Sequence, residues 1–255
     1  MEYKILFIFI AILVAILLFY SFKTYENFDN LNITYLDQTE AHQFILSDPD
    51  GYVARFNKLD CQARNITSPH EYVDLYKDAI VIPNDSQKEI ILNAINKATA
   101  QIDKINVNWI DNFKLKNIPW KFIIINTKSI DLGLPHTRWD TIVINQSIIN
   151  DTLNFVDTIL HEKLHVYQKL FPEDFDLYLK KNSFEPYIKY INSNIQYRSN
   201  PDTDDWIYKC KGEIYFSKYR YSEPQTIADV IYNPINSCDY EHPREKAVYD
   251  LLKTI

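Results

Sequence analysis

The stretch Thr158-Ile159-Leu160-His161-Glu162-Lys163-Leu164-His165-Val166-Tyr167-Gln168 decides how this chain is read. His161 and His165 stand four residues apart, one turn of an α-helix, so both imidazoles leave the same face and can grip one metal ion. The flanks predict that helix, because Leu153, Val156, Leu160, Leu164 and Tyr167 recur at steps of three and four as an apolar stripe. Asn150 or Asp151 is the expected cap and Pro172 the expected stop. Each histidine follows a stripe leucine by one residue, about 100° round the axis, which sets the pair at the margin of the buried face. Asp157 and Gln168 continue the histidine row and are expected either to orient the imidazoles or to meet water.

Two neutral imidazoles leave a tetrahedral zinc ion one protein ligand short if a water is to keep the open position. Zinc lowers the pKa of such a water towards about 7 and polarises a carbonyl. Glu162, beside the first ligand, is then expected as the base that takes the water's proton and returns it to a leaving amine, not as a ligand.

Upstream, Trp120–Asn126 and Thr141–Ile144 are β-branched and aromatic and predict two strands. Between them the turn Gly133-Leu134-Pro135 leads into His136-Thr137-Arg138, whose His136 and Arg138 are candidates for touching substrate. Ser86 to Glu89 has capping-box spacing ahead of Ile91, Ile95, Ala98, Ile102 and Ile105, a predicted amphipathic helix. Residues 23–82 show no sustained period and carry no assigned role, and His42 and His70 within them read as ordinary surface or hydrogen-bonded histidines.

Downstream, Phe175 to Asn182 predicts a short helix, Pro186 to Asn192 an apolar element and Glu213 to Tyr221 a strand. Asn200-Pro201-Asp202-Thr203-Asp204-Asp205 reads as a solvated turn, since the glycine and closing glutamate of a calcium loop are missing. The last helix is expected from Pro243, with Glu245 in its first turn, where the helix dipole alone would favour a carboxylate. Helices and strands in this order predict an α+β fold with one strand lining a cleft beside the metal.

With these residues in place, the chain resembles the zincin metallopeptidases, whose HExxH helix is matched by His161-Glu162-Lys163-Leu164-His165. The metzincin branch would have glycine and histidine where Gln168 and Phe171 stand, and a later methionine turn, whereas the sole methionine is Met1. The aspzincin branch fits less well, since no Gly-Thr pair follows. The gluzincin-like plan remains, and it implies a third zinc ligand on a later helix. Glu245, in the run His242-Pro-x-Glu-x-Ala247, is the preferred third ligand, with Glu241, His242, Glu213 and Glu223 as the other candidates.

Two departures stand out. The second and third ligands lie far apart, which requires an insertion over roughly residues 172–240 to fold across the cleft. Tyr249 occupies the position where thermolysin-like enzymes carry an acid, with Asp250 following. Tyr249, Tyr215, Tyr219 and Tyr221 are candidates for donating a hydrogen bond to an oxyanion. The resemblance implies a small mixed or antiparallel sheet, a Zn(2+) cofactor and hydrolysis of peptide bonds, with an endopeptidase favoured. The competing reading is a membrane or virion-surface structural protein that keeps a zincin-like fold without catalysis.

The 255 residues have room for one domain of ordinary size with a small appendage, and the 46% hydrophobic and 24% charged composition is globular. A net charge of −7 with scattered lysines excludes nucleic acid as a primary partner; the protein or peptide substrate is what the resemblance implies. The excess of Ile, Asn, Lys, Tyr and Phe is that of an AT-rich genome, compatible with many microbes and with a viral membrane.

Ile5 to Phe22 is an uncharged apolar run at the lower length limit for a membrane span, and no small-residue cleavage site closes it, so residues 1–22 are expected to be an uncleaved anchor. The flanking charges put the N-terminus in the cytosol and the remainder outside it. The expected organisation is therefore an anchor over 1–22, a region without assigned role over 23–82, and a zincin-like domain over 83–255. Cys210 with Cys238 is the preferred disulfide if the compartment is oxidising, leaving Cys61 over.

Overall fold

The computed structural model describes residues 32–151, 154–192, 196–233 and 242–255. The anchor expected over Ile5–Phe22, together with Leu153, Cys238 and Glu241, lies outside the described residues; among those described, no helix is long and apolar enough to cross a membrane. Residues 34–255 pack as one unit of mixed α and β structure.

The described residues begin with strand β1 (Ile33–Tyr35) and three short helices, α1 (Gln38–Ser47), α2 (Lys58–Ala63) and α3 (Pro69–Asp74). Long helix α4 (Asp85–Ile102) and short α5 (Asn112–Asn117) follow, then strands β2 (Trp120–Ile125), β3 (His136–Arg138) and β4 (Thr141–Asn145). These four strands form one sheet in the order β1-β2-β4-β3, with β2 parallel and β3 antiparallel to β4. β2 and β4 are buried on both faces and read accordingly as continuous Ile/Val/Phe runs.

Helix α6 (Phe155–Leu170) carries the histidine pair and packs against α4, β3 and β4. Phe171 joins it to α7 (Pro172–Lys181), with Pro172 at that helix's first position, where its missing N–H costs nothing. A second, antiparallel sheet follows in chain order: β5 (Phe184–Lys189), β6 (Trp206–Cys210), β7 (Glu213–Tyr219) and β8 (Val230–Asn233). The last helix, α8 (Pro243–Leu252), returns to pack on α6.

Three local expectations shift. The capping box of α4 is formed by Asn84 and Gln87 and not by Ser86 and Glu89: the Asn84 side chain accepts from Gln87 N at 2.9 Å, and the Gln87 side chain accepts from Asn84 N at 3.0 Å. Neither Asn150 nor Asp151 caps α6; its N-cap is Asn154, which makes no side-chain capping bond and donates instead to Asp151 Oδ2 at 3.4 Å. Of the region 23–82 left without a role, the described part packs on the first sheet: Ala41, Ile45, Tyr52, Tyr72 and Tyr76 share one core with Ile123, Ile125 and Val143. The irregular period of this segment follows from its helices being six to ten residues long, too short to display a stripe.

Candidate metal centre and cavity

Helix α6 is fixed from its buried side. Leu160, Leu164 and Tyr167 are fully buried, as the stripe predicts, and Ile159 is buried with them, while Val156 is half-buried. Lys163 points away from the histidines and donates to the carbonyls of Ile118 and, at 3.0 Å, Pro119, with its ammonium 4.4 Å from the Trp120 ring centre. Burial pushes this lysine's pKa down to about 7.

His161 and His165 meet Glu245, which α8 brings from eighty residues further along the chain. The two Nε2 atoms are 3.0 Å apart, and Glu245 Oε2 lies 3.4 Å from His161 Nε2 and 3.5 Å from His165 Nε2. Tetrahedral zinc at about 2.0–2.1 Å from each ligand would separate its ligand atoms by ~3.3 Å, so the three donors stand at the spacing of a zinc site. Among the described residues this is the one His/Cys/Asp/Glu group whose donor atoms converge in this way.

The tautomer of His165 fits as well. Gln168 Nε2 donates to the Arg244 carbonyl at 3.1 Å, which orients the amide so that Oε1 faces His165 Nδ1 at 3.0 Å. An amide oxygen only accepts, so Nδ1 carries the proton and the Nε2 lone pair is aimed at the cluster. Arg244 Nη1 answers by donating to the Gln168 carbonyl at 2.9 Å, tying the two ligand-bearing helices together. Although burial alone would raise it, the two imidazoles hold the Glu245 carboxyl well below the usual carboxylate range, the direction required of an anionic ligand.

The triad opens on a cavity of about 430 Å³. His161, Glu162, Glu245, Tyr249, His136 and Asp202 line it. Glu162 is 4% exposed and accepts a hydrogen bond on Oε2 from Thr137 Oγ1 at 2.9 Å. Burial, reinforced by the charge of Asp202, pushes its carboxyl well above the ordinary range. Tyr249, one turn beyond Glu245 on α8, places its ring centre 4.9 Å from that of His161.

The remaining sequence candidates separate cleanly. His136 lines the cavity, with Nδ1 against the Leu134 carbonyl at 2.9 Å and Nε2 at 3.3 Å from Tyr76 Oη. Arg138 does not reach the cavity. It is fully buried, with Nη2 2.7 Å from Asp48 and 3.0 Å from Asp50, so its place is structural. His242 caps α8 and bonds Asp204 at 3.1 Å, while Glu213 and Glu223 are exposed elsewhere, so none of these three joins the triad. Tyr215 and Tyr219 are buried in packing, and Tyr221 does not line the cavity. Asp157 is exposed at the rim.

Two acidic residues read as a solvated turn are instead part of the centre's surroundings. Asp202 is 7% exposed and accepts from Thr137 N at 2.6 Å; burial raises its carboxyl above its ordinary range against the pull of His165. Asp204 accepts from Arg244 Nε at 3.2 Å, and also bonds Tyr208 Oη and Trp206 N, each at 2.9 Å. Composition hid both, because a Pro-Asp-Thr-Asp-Asp run has the chemistry of an exposed turn and only the long-range partners reveal its burial.

Compared with known proteins, the chain matches no protein-family model, no curated protein and no solved structure.

Proposed function

We propose that this chain is a zinc-dependent peptide hydrolase of zincin-like, gluzincin-like plan, tethered to a membrane by residues 1–22 with its catalytic part outside the cytosol. The observation that carries this reading is the convergence of His161 Nε2, His165 Nε2 and Glu245 Oε2 within 3.0–3.5 Å of one another at the wall of a cavity that Glu162 also lines. The antiparallel strand β3 beside α6, and the return of the third donor on a later helix, support the same plan.

In this reading His161, His165 and Glu245 hold zinc, which when bound supplies an acidified water and polarises the scissile carbonyl. Glu162 acts through the carboxylate that Thr137 Oγ1 orients: it accepts the water's proton and delivers it to the departing amine. Tyr249 offers its phenol from the wall of the cavity to the developing oxyanion.

The full-length protein should carry about one zinc per chain by elemental analysis, and His161→Ala should abolish it. Glu162→Gln should retain the metal while lowering peptide hydrolysis by about 10²–10⁴-fold. Unchanged zinc content in His161→Ala, or undiminished hydrolysis in Glu162→Gln, would end this assignment.

A further inference from the structure

Strand β3 is the edge of its sheet, and an edge normally offers main-chain groups to an incoming peptide strand. In an antiparallel pair successive residues point their N–H and C=O alternately towards the partner and away from it. The outward residue of β3 is Thr137, flanked by Pro135 before the strand and by Trp139 in the turn after it. Pro135 has no N–H. Thr137 N–H is taken by Asp202 Oδ1 at 2.6 Å and Thr137 C=O by Lys169 Nζ at 2.7 Å. Trp139 N–H is taken by Asp50 Oδ2 at 3.1 Å. Over Pro135–Trp139, every outward N–H is either missing or already used.

The segment that closes this edge is built in. Ser199 N and Oγ both donate to Asp60 at 2.9 Å, Arg64 Nη2 donates to the Ser199 carbonyl at 3.3 Å, and Lys169 Nζ donates to the Pro201 carbonyl at 2.7 Å. Asn200 Nδ2 lies 3.3 Å from Glu245 Oε1, so the same segment touches the third donor of the triad. Ser199, Asp202 and Thr203 are each less than 10% exposed. Residues 198–202 form one wall of the cavity, alongside His136 and Glu162.

We infer that the site takes short oligopeptides that lie whole within the cavity, and not internal segments of an extended chain added as a strand to β3. This rests on the hydrolase reading above, and it replaces the endopeptidase expected from resemblance. A cavity of about 430 Å³ has the volume of a small-ligand site, and with the Thr137 and Trp139 N–H groups taken, recognition falls to the groups lining it.

Two measurements on the zinc-loaded full-length protein test this. Free-ended tripeptides are compared with the same tripeptides set in the middle of dodecapeptides blocked at both ends, with Glu162→Gln as the control. The inference expects kcat/KM at least about tenfold higher for the free tripeptides; equal or faster cleavage of the blocked dodecapeptides would overturn it while leaving the hydrolase standing. If neither set is cut above the Glu162→Gln control, the hydrolase reading and the substrate class fall together. The closed edge is judged separately by amide hydrogen exchange without substrate: slow exchange at Thr137 and Trp139 supports it, and exchange at the rate of a free edge refutes it.

Discussion

Two clusters of buried ionisable groups border the same cavity, and they differ in how their charges are met. Around Arg64 every strong donor has a place: Nε bonds Asp131 at 2.9 Å, Nη1 meets Asp60 and Tyr219, Nη2 meets Tyr52 and the Ser199 carbonyl, and the Phe56 ring lies 4.3 Å below. Asp131 in turn accepts from Tyr52 and Tyr72. Around His161, His165 and Glu245, by contrast, three potential ligand atoms converge on one point. Density of titratable groups therefore does not mark a binding centre in this protein; potential ligand atoms converging on one point do.

The largest expected effect lies in the satisfied cluster. Arg64→Met leaves Asp131 buried without its cation, and although burial alone would raise that carboxyl, it is Arg64 that holds it low. Breaking such a pair costs about 3–5 kcal/mol. Urea unfolding of the chelator-treated protein should show this loss. A cost below about 1 kcal/mol would mean that the Arg64 cluster is no more structural than the triad and would erase the contrast.

Asp204 sharpens the comparison, because it is a satisfied carboxylate that holds the triad's own helix. Burial would raise its pKa, but His242 and Arg244 keep it well below the ordinary range. The native state therefore binds fewer protons than the unfolded chain in acid, so this contribution is fully present above the unfolded carboxylate pKa of about 3.9 and is lost as pH falls through the folded value. Between pH 7 and pH 3 the protein should lose about 1 kcal/mol more than Asp204→Asn does, read from urea midpoints at each pH, because the rest of the contribution is lost only below pH 3. Parallel pH profiles for the two proteins would show that Asp204 is not the anchor of α8.

How much of this was legible beforehand follows from what each element's sequence could encode locally. The α+β class, helix α6 and the convergence of Glu245 on the histidines were expected from periodicity, spacing and resemblance, since α6 has a stripe and Glu245 follows a Pro-started helix. Gln168 was visible as a continuation of the histidine row. The positions of Asp202, Asp204 and Lys169 were not, because their partners Thr137, Arg244 and Asp50 lie 40 to 119 residues away. Arg138 misled for a related reason: a lone arginine after a turn looks available, and only the three-dimensional fold brings Asp48 and Asp50 to it.

The smallest expected effect is the most diagnostic one. In the satisfied cluster each group stabilises its neighbours, so removal is costly; in the triad, with metal removed, His161 Nε2 and His165 Nε2 face one another at 3.0 Å with Glu245 Oε2 at 3.4 and 3.5 Å. His161 is also the less buried imidazole, 15% exposed against 0% for His165. His161→Ala should therefore change the unfolding free energy of the chelator-treated protein by about 1 kcal/mol or less. Adding zinc to about one hundred times its Kd should then stabilise the unmodified protein by about 2.7 kcal/mol and leave His161→Ala almost unmoved. A large loss in the chelated variant would show that His161 serves the fold as Arg64 does, and that convergence of potential ligand atoms is not what separates the two clusters.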